Sequence, residues 1–253
     1  MRFADRTEER TALNARVQNA ITSAGAKNAL SVLSDFGLAV AGSKCVVARD
    51  IGVLQSLVKS DNVLYVTYHS QVRSGSRLPE DNKWDRGRDA AESTVNPFFY
   101  KDISFAGLSL NGVGVRAYGD YHITLRENLI AHRTSVFEEN PFNFCQKQRI
   151  TAGQEAPLGY RAVWKERNLL AMAKLHSHIS SGTKPDEYAD ILVTQGTHTG
   201  DGEFIEAHIY GPIHRQAIEK VIGRRPKGGP DLPIWRSVVK ELRRLGAAVE
   251  EYV

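Results

Sequence analysis

The feature that most limits this chain is a change of hydrophobic period near residue 60. Before it, apolar residues recur at three- and four-residue spacing; after it, they fall in short β-branched and aromatic runs broken by turn formers. A chain patterned in this way makes helices first and a sheet afterwards. TALNARVQNAITSAG and KNALSVLSDFG carry the helical period and end near a glycine able to cap them, and DIGVLQSLVKS follows Asp50, placed to cap a third helix. They predict a helical region over residues 1–60, with 61–253 as the domain that holds the chemistry. NVLYVTYH at 62–69 predicts a buried first strand, and the polar stretch 70–96 a long surface excursion.

Beyond it, ISFAGLSL, GVGVRAYG and DYHITL predict an antiparallel meander turning at Asn111-Gly112 and Gly119-Asp120. GYRAVWKERNLLAMAKLHSHI at 159–179 predicts an amphipathic core helix. ADILVTQG and EFIEAHIYG predict two strands, PIWRSVVKELRRLG a basic helix and AAVEEYV a terminal strand. The fold class is therefore α+β: N-terminal helices followed by a mixed, mostly antiparallel set of strands.

Composition excludes several classes. With 42 % hydrophobic and 25 % charged residues over 253 positions, the chain can bury a sizeable core, and no apolar run approaches the 18 residues of a membrane span. MRFADRTEERTALNAR carries no secretory or lipidation signal, which predicts a cytoplasmic address. Cys45 and Cys145 stand a hundred positions apart and are expected as reduced thiols. Walker, Gly-x-Gly-x-x-Gly and Gly-x-Ser-x-Gly motifs are absent. The net charge of +4 is uneven: nine Lys and Arg against three acids fall between His214 and Leu245, giving that segment +6. A basic tail of this kind, with Arg224, Arg225 and Lys227 in GRRPKGG, would attract phosphates.

Three places can carry chemistry: His69, the run HRTSVFEENPF at 132–142, and Glu206 in EFIEAHIYG. Strand alternation puts Phe204, Glu206 and His208 on one face and Ile205, Ala207 and Ile209 on the other. A carboxylate in mid-strand is costly to bury unless something polar meets it.

Together these residues resemble the ADP-ribosyltransferase superfamily, in particular the toxin-like, nucleic-acid-modifying members of its histidine-tyrosine-glutamate branch. Tyr68-His69-Ser70 resembles the family's strand histidine, Arg133-Thr134-Ser135 its Ser-Thr-Ser-like element, and EAHIYGPIHRQAIEKVI its glutamate strand and closing helix, over roughly residues 61–225. The chain departs from the family pattern at Ser70-Gln71, where Gly-Thr is expected, and at Phe204, where a Glu or Gln two before the glutamate is expected. The resemblance implies a split β-sandwich around an NAD cleft, with NAD as co-substrate and Glu206 as the catalytic group. It implies NAD contacts from His69, Tyr68, Arg133 and Ser135, with Tyr121 or Tyr160 against nicotinamide. It further implies a nucleic-acid acceptor, RNA or single-stranded DNA, and an intracellular toxin of a toxin–antitoxin or phage-defence setting with an antitoxin protein as partner. Two other readings remain open from the residues. One is a metal-dependent hydrolase or nuclease using His176, His178, His198, His208 and Glu206; the other is a non-enzymatic nucleic-acid binder with Trp235, Phe98, Phe99 and Tyr100 as stacking platforms.

Overall fold

The computed structural model describes residues 3–75, 78, 83–151, 153–196 and 202–252. Helix α1 (Thr7–Ala26) buries Leu13, Val17, Ala20 and Ala24 at the predicted spacing, and α2 (Leu30–Ala41) buries Leu33, Phe36 and Val40. Residues 44–49 depart from the helical expectation. Cys45, Val46, Val47 and Ala48 are all buried there, and the β-branched pair favours the extended form, giving strand β1 (Lys44–Arg49). Helix α3 (Ile51–Lys59) starts as read, the Asp50 carboxylate accepting from the Val53 N–H at 2.9 Å. Because β1 lies inside 1–60 and pairs in mid-sheet, the sheet draws on both predicted segments.

The predicted strand at 62–69 shrinks to β2 (Leu64–Tyr65). Thr67 accepts from the Ser70 N–H at 3.1 Å and caps helix α4 (Tyr68–Arg73), so His69 enters a helix instead of ending a strand. The expected excursion contains a second helix, α5 (Lys83–Val95). Strands β3 (Ile103–Ser109) and β4 (Tyr121–Leu125) follow, but the expected meander does not: β1 lies between them, and 113–118 form a turn ending in a 3-10 segment. Gly112, at φ 81°, makes that turn after Asn111.

Next come α6 (Glu127–Ile130), β5 (Thr134–Phe137), α7 (Pro141–Lys147) and β6 (Arg161–Val163). They lead to α8 (Arg167–Leu175), α9 (Tyr188–Leu192) and β7 (Val193–Thr194). The helix expected over 159–179 is thus β6 and then α8, and ADILVTQG is helix over its first four residues and strand only at Val193–Thr194. Four strands follow, β8 (Glu203–Phe204), β9 (Glu206–Tyr210), β10 (Ile213–His214) and β11 (Ile218–Arg224), the last in place of the expected closing helix. Helix α10 (Asp231–Arg244) and strand β12 (Ala248–Tyr252) end the chain as read.

Eight strands pair in the order β12-β11-β4-β1-β3-β9-β5-β6, with β11 and β12 parallel and the other neighbours antiparallel. The α+β class with opening helices and a mixed, mostly antiparallel sheet is therefore seen. The sheet forks in its middle. β1 and β3 pair only from Lys44–Ser109 to Val46–Gly107; beyond that point β1 continues along β4 and β3 along β9. One face of the β3 to β6 half is covered by α1 and α8, the other by α5 and α7 around Val95, Phe137 and Phe144. On the β12 side, α3 and α10 pack together and Trp235 meets the Tyr121 ring at 5.0 Å. Among the described residues, no helix is long and apolar enough to cross a membrane.

Candidate active site

The fork opens a cleft of about 400 Å³ walled by Val46–Arg49 on one side and Ile103–Gly107 on the other. That volume falls within the range of small-molecule sites. Glu206, the first residue of β9, reaches it between Gly107 of β3, which has no side chain to cover it, and Phe137 of β5. Strand alternation places His208 on the same face, as the sequence predicts, and both side chains are buried, at 5 % and 3 % exposure.

The hydrogen bonds around Glu206 fix their own directions. The Asn96 amide donates to His208 Nδ1 at 3.1 Å, so the ring carries its proton on Nε2 and donates it to Glu206 Oε2, also at 3.1 Å. Asn140 caps α7, its Oδ1 accepting from the Phe142 N–H at 3.0 Å, which leaves its amide nitrogen for the Glu206 carboxylate. Burial, and then the charge of Glu92, push the Glu206 carboxyl well above the usual carboxylate range. Burial, with Arg161 adding to it, pushes His208 well below the usual imidazole range, so the ring stays neutral.

The remaining walls bring charge and aromatic rings. Helix α5 contributes Arg88 and Glu92, one turn apart and ion-paired at 3.1 Å. Arg88 lies over the Tyr68 ring at 4.6 Å. Arg49, at the end of β1, donates to the Ala48 carbonyl at 2.6 Å and to the Tyr65 hydroxyl. Tyr118, from the 3-10 segment after β3, stands edge-on to Phe204 at 6.4 Å. Burial, then the nearby Glu206, raises its hydroxyl to about 12, keeping it a donor.

Of the residues expected at the site, Glu206 and Tyr68 line the cleft and the others do not. His69 stands behind it, its Nε2 at 2.8 Å from Glu92. Ser135 pairs in register with His208, one step beyond the carboxylate. Arg133 turns elsewhere: its guanidinium donates to the backbone carbonyls of Leu129 and Tyr210, away from the cleft. The two tyrosines also lie outside its lining. Tyr121 packs on Trp235 and donates to the Arg224 carbonyl at 3.0 Å, and Tyr160 lies under Arg16 and against Phe144.

Sequence reading missed Arg49, Arg88, Glu92, Tyr118 and Asn96, and gave Asn140, inside the run 132–142, no role of its own. The Arg88–Glu92 spacing was the one available signal. Arg224, Arg225 and Lys227 are exposed, and Arg224 and Arg225 stand at the same end of the sheet as Arg49, which pairs with Tyr121 as Tyr121 does with Gly223. The +6 count overstates the free charge of the tail, since Arg215, Lys220 and Arg225 pair with Asp61, Glu250 and Glu251 from outside the segment.

Metal chemistry finds little support in the geometry. Among the described residues no three metal-ligating side chains come together. His208 spends both ring nitrogens on Asn96 and Glu206, His176 Nδ1 turns to the Ala173 carbonyl, and His198 lies outside the described residues.

No family model matches the chain, and no curated protein matches it significantly in sequence. Among solved structures it is similar to Thermus sp. 2.9 DarT in complex with NAD+, at a TM-score of 0.40 and 11 % identity, over 82 % of this chain and 94 % of that one. It is similar to the same protein in complex with carba-NAD+, at a TM-score of 0.39 and 10 % identity over 82 % and 94 % of the two chains. The complex with ADP-ribosylated ssDNA gives a TM-score of 0.40 and 10 % identity, over 82 % and 93 %.

Proposed function

We propose that the protein is an NAD-dependent mono-ADP-ribosyltransferase acting on a single-stranded nucleic acid, DNA or RNA. The observation that carries this reading is the buried Glu206 carboxylate, facing a cleft in the fork of the sheet and oriented by His208 and Asn140. The sequence resemblance to the superfamily supports it.

The chemistry requires a negative group beside a ribose carbon that becomes positive as nicotinamide leaves, in a place with little water. Glu206 accepts a hydrogen bond from a ribose hydroxyl and stabilises that charge. Arg49 and Arg88 hold the pyrophosphate, since a guanidinium offers a planar pair of donors to phosphate oxygens. Tyr118 supplies the ring against nicotinamide. His69 acts through Glu92, in place of the direct ribose contact expected of it. Arg224, Arg225 and Lys227 meet the acceptor's phosphates with salt-sensitive, sequence-tolerant affinity.

The test is incubation with labelled NAD, single-stranded DNA, RNA and cell lysate, followed by nuclease or protease. Label released by nuclease supports the reading; label that survives nuclease and falls to protease, or no label, overturns it. A toxin role in a toxin–antitoxin or phage-defence setting, with an antitoxin partner, rests on the resemblance. Induced expression in bacteria should arrest growth, and the Glu206→Gln protein should not.

A further inference from the structure

The cleft holds two buried carboxylates, and the reading above gives a direct part in the bond-breaking step only to Glu206. Glu92 is 4 % exposed, lines the same cleft from helix α5, and lies close enough to Glu206 to raise its carboxyl. Their surroundings differ. Glu206 is held by two neutral donors, the His208 ring and the Asn140 amide. Glu92 is held by the Arg88 guanidinium at 3.1 Å on Oε1 and by the His69 imidazole at 2.8 Å on Oε2.

Transfer needs two things of a carboxylate: a charge beside the ribose carbon, and an acceptor for the proton of the incoming nucleophile. One carboxylate does these poorly at once, because taking the proton removes the charge. The strand that carries Glu206 offers no second carboxylate on that face, where Phe204 precedes it and His208 follows it.

Resting on the transferase reading, we infer that Glu92 is the general base of the transfer and His69 its positioning partner. The bond from ribose C1′ to the nicotinamide nitrogen breaks, and its electron pair stays on that nitrogen, neutralising the pyridinium. A lone pair of the acceptor's nitrogen or oxygen forms the new bond to C1′, and the acceptor's proton passes to Glu92. The products are ADP-ribosylated nucleic acid, nicotinamide and one proton.

His69 holds Glu92 from behind, between Asp89 at 3.9 Å and the edges of Tyr68 and Tyr100. Arg88 faces Glu92 from the preceding turn of α5, and Arg49 and Glu206 line the same cleft from β1 and β9.

The experiment compares wild type, Glu92→Gln and Glu92→Ala with NAD and a single-stranded oligonucleotide. Glu92→Gln should lower the transfer rate at saturating NAD about 10²- to 10⁴-fold, with carba-NAD affinity within about threefold of wild type by calorimetry. Its rate should rise with pH where wild type levels off, as expected when hydroxide replaces a lost base. Formate should restore part of the rate to Glu92→Ala, which also serves if the Gln variant does not fold. Transfer by Glu92→Gln within about threefold of wild type, or a loss confined to NAD affinity, overturns the assignment. A wild-type protein that transfers nothing overturns the transferase reading itself, a different result.

Discussion

Two buried histidines, one in each half of the forked sheet, show what separates scaffold from site. His122 on β4 is 1 % exposed and His208 on β9 is 3 % exposed, and both use Nδ1 as an acceptor. His122 accepts from the Gly114 N–H at 3.2 Å and so pins the turn that closes over β1 and β4. His208 accepts from a side-chain amide at Nδ1 and donates its one N–H, on Nε2, to a carboxylate. The residue type and burial are shared; the chemistry lies in whether the second nitrogen meets a group that can change charge. The halves should therefore respond oppositely to mutation, one in stability and the other in rate.

The largest effect is expected at Glu206. Glu206→Gln keeps the shape and removes the charge, so transfer should fall about 10³-fold or more. Stability should not fall with it. A carboxyl raised by folding contributes stability that is present below its unfolded value and lost as pH rises, so the amide should melt at the same or a higher temperature at pH 7.5. A folded variant with near-normal turnover would place the chemistry elsewhere.

The other half gives the converse. Burial lowers His122 from 6.5 to about 4. The unfolded chain binds the extra proton in that interval, so the contribution is full above about pH 6.5 and is lost as pH falls toward about 4, an amount of roughly 3 kcal/mol. Denaturant melts from pH 4 to 7.5 should show a flatter profile in His122→Gln, with transfer at pH 7.5 within twofold of wild type. An unchanged profile would show that His122 does not titrate between the two states.

Much of the scaffold was legible because its signals are local. Helices α1, α2, α3 and α10 followed from apolar spacing, α3 also from its Asp50 cap, and β9 from alternation, whereas Gly25 and Gly37, expected to cap the first two helices, lie inside α1 and α2. What was not legible depends on partners distant in sequence. KCVVAR is too short to declare a strand by period, and only pairing with β3 and β4 makes it the strand at the fork. Helix α5 reads as polar because the residues it buries include Glu92, which is partnered from behind the cleft by His69 on α4. Glu206 was legible because a carboxylate in mid-strand violates β preference, and Tyr118 was not, since any half-buried tyrosine looks alike.

A smaller loss sharpens the comparison on the β9 side. The His208 ring stacks on Phe137 at 5.5 Å and meets Phe105 edge-on at 5.1 Å, so His208→Phe should fit while removing the donor to Glu206. A hydrogen bond to a charged group contributes about 1.5–3 kcal/mol, so transfer should drop roughly ten- to a hundredfold. The acid limb of the pH–rate profile should also move to higher pH, because Glu206 loses a donor that favours its charged form. A rate change with no movement of that limb would reduce His208 to a packing role.

The smallest effect belongs to Tyr121, which the sequence placed against nicotinamide and the fold places three strands from β9, under Trp235. Its hydroxyl donates to the Arg224 carbonyl at 3.0 Å, so Tyr121→Phe removes one neutral hydrogen bond at the end of β11. That contribution is about 1 kcal/mol, less if water reaches the carbonyl. Chemical melts should register it, while KM for NAD and the transfer rate stay within twofold. Tyr118→Ala should do the reverse, raising KM for NAD with little change in melting, because its ring lies on the cleft wall beside Glu206. If Tyr121→Phe raised KM for NAD tenfold, the cleft in the fork would not be the NAD site, and the division of the sheet into a scaffold half and a chemical half would fail with it.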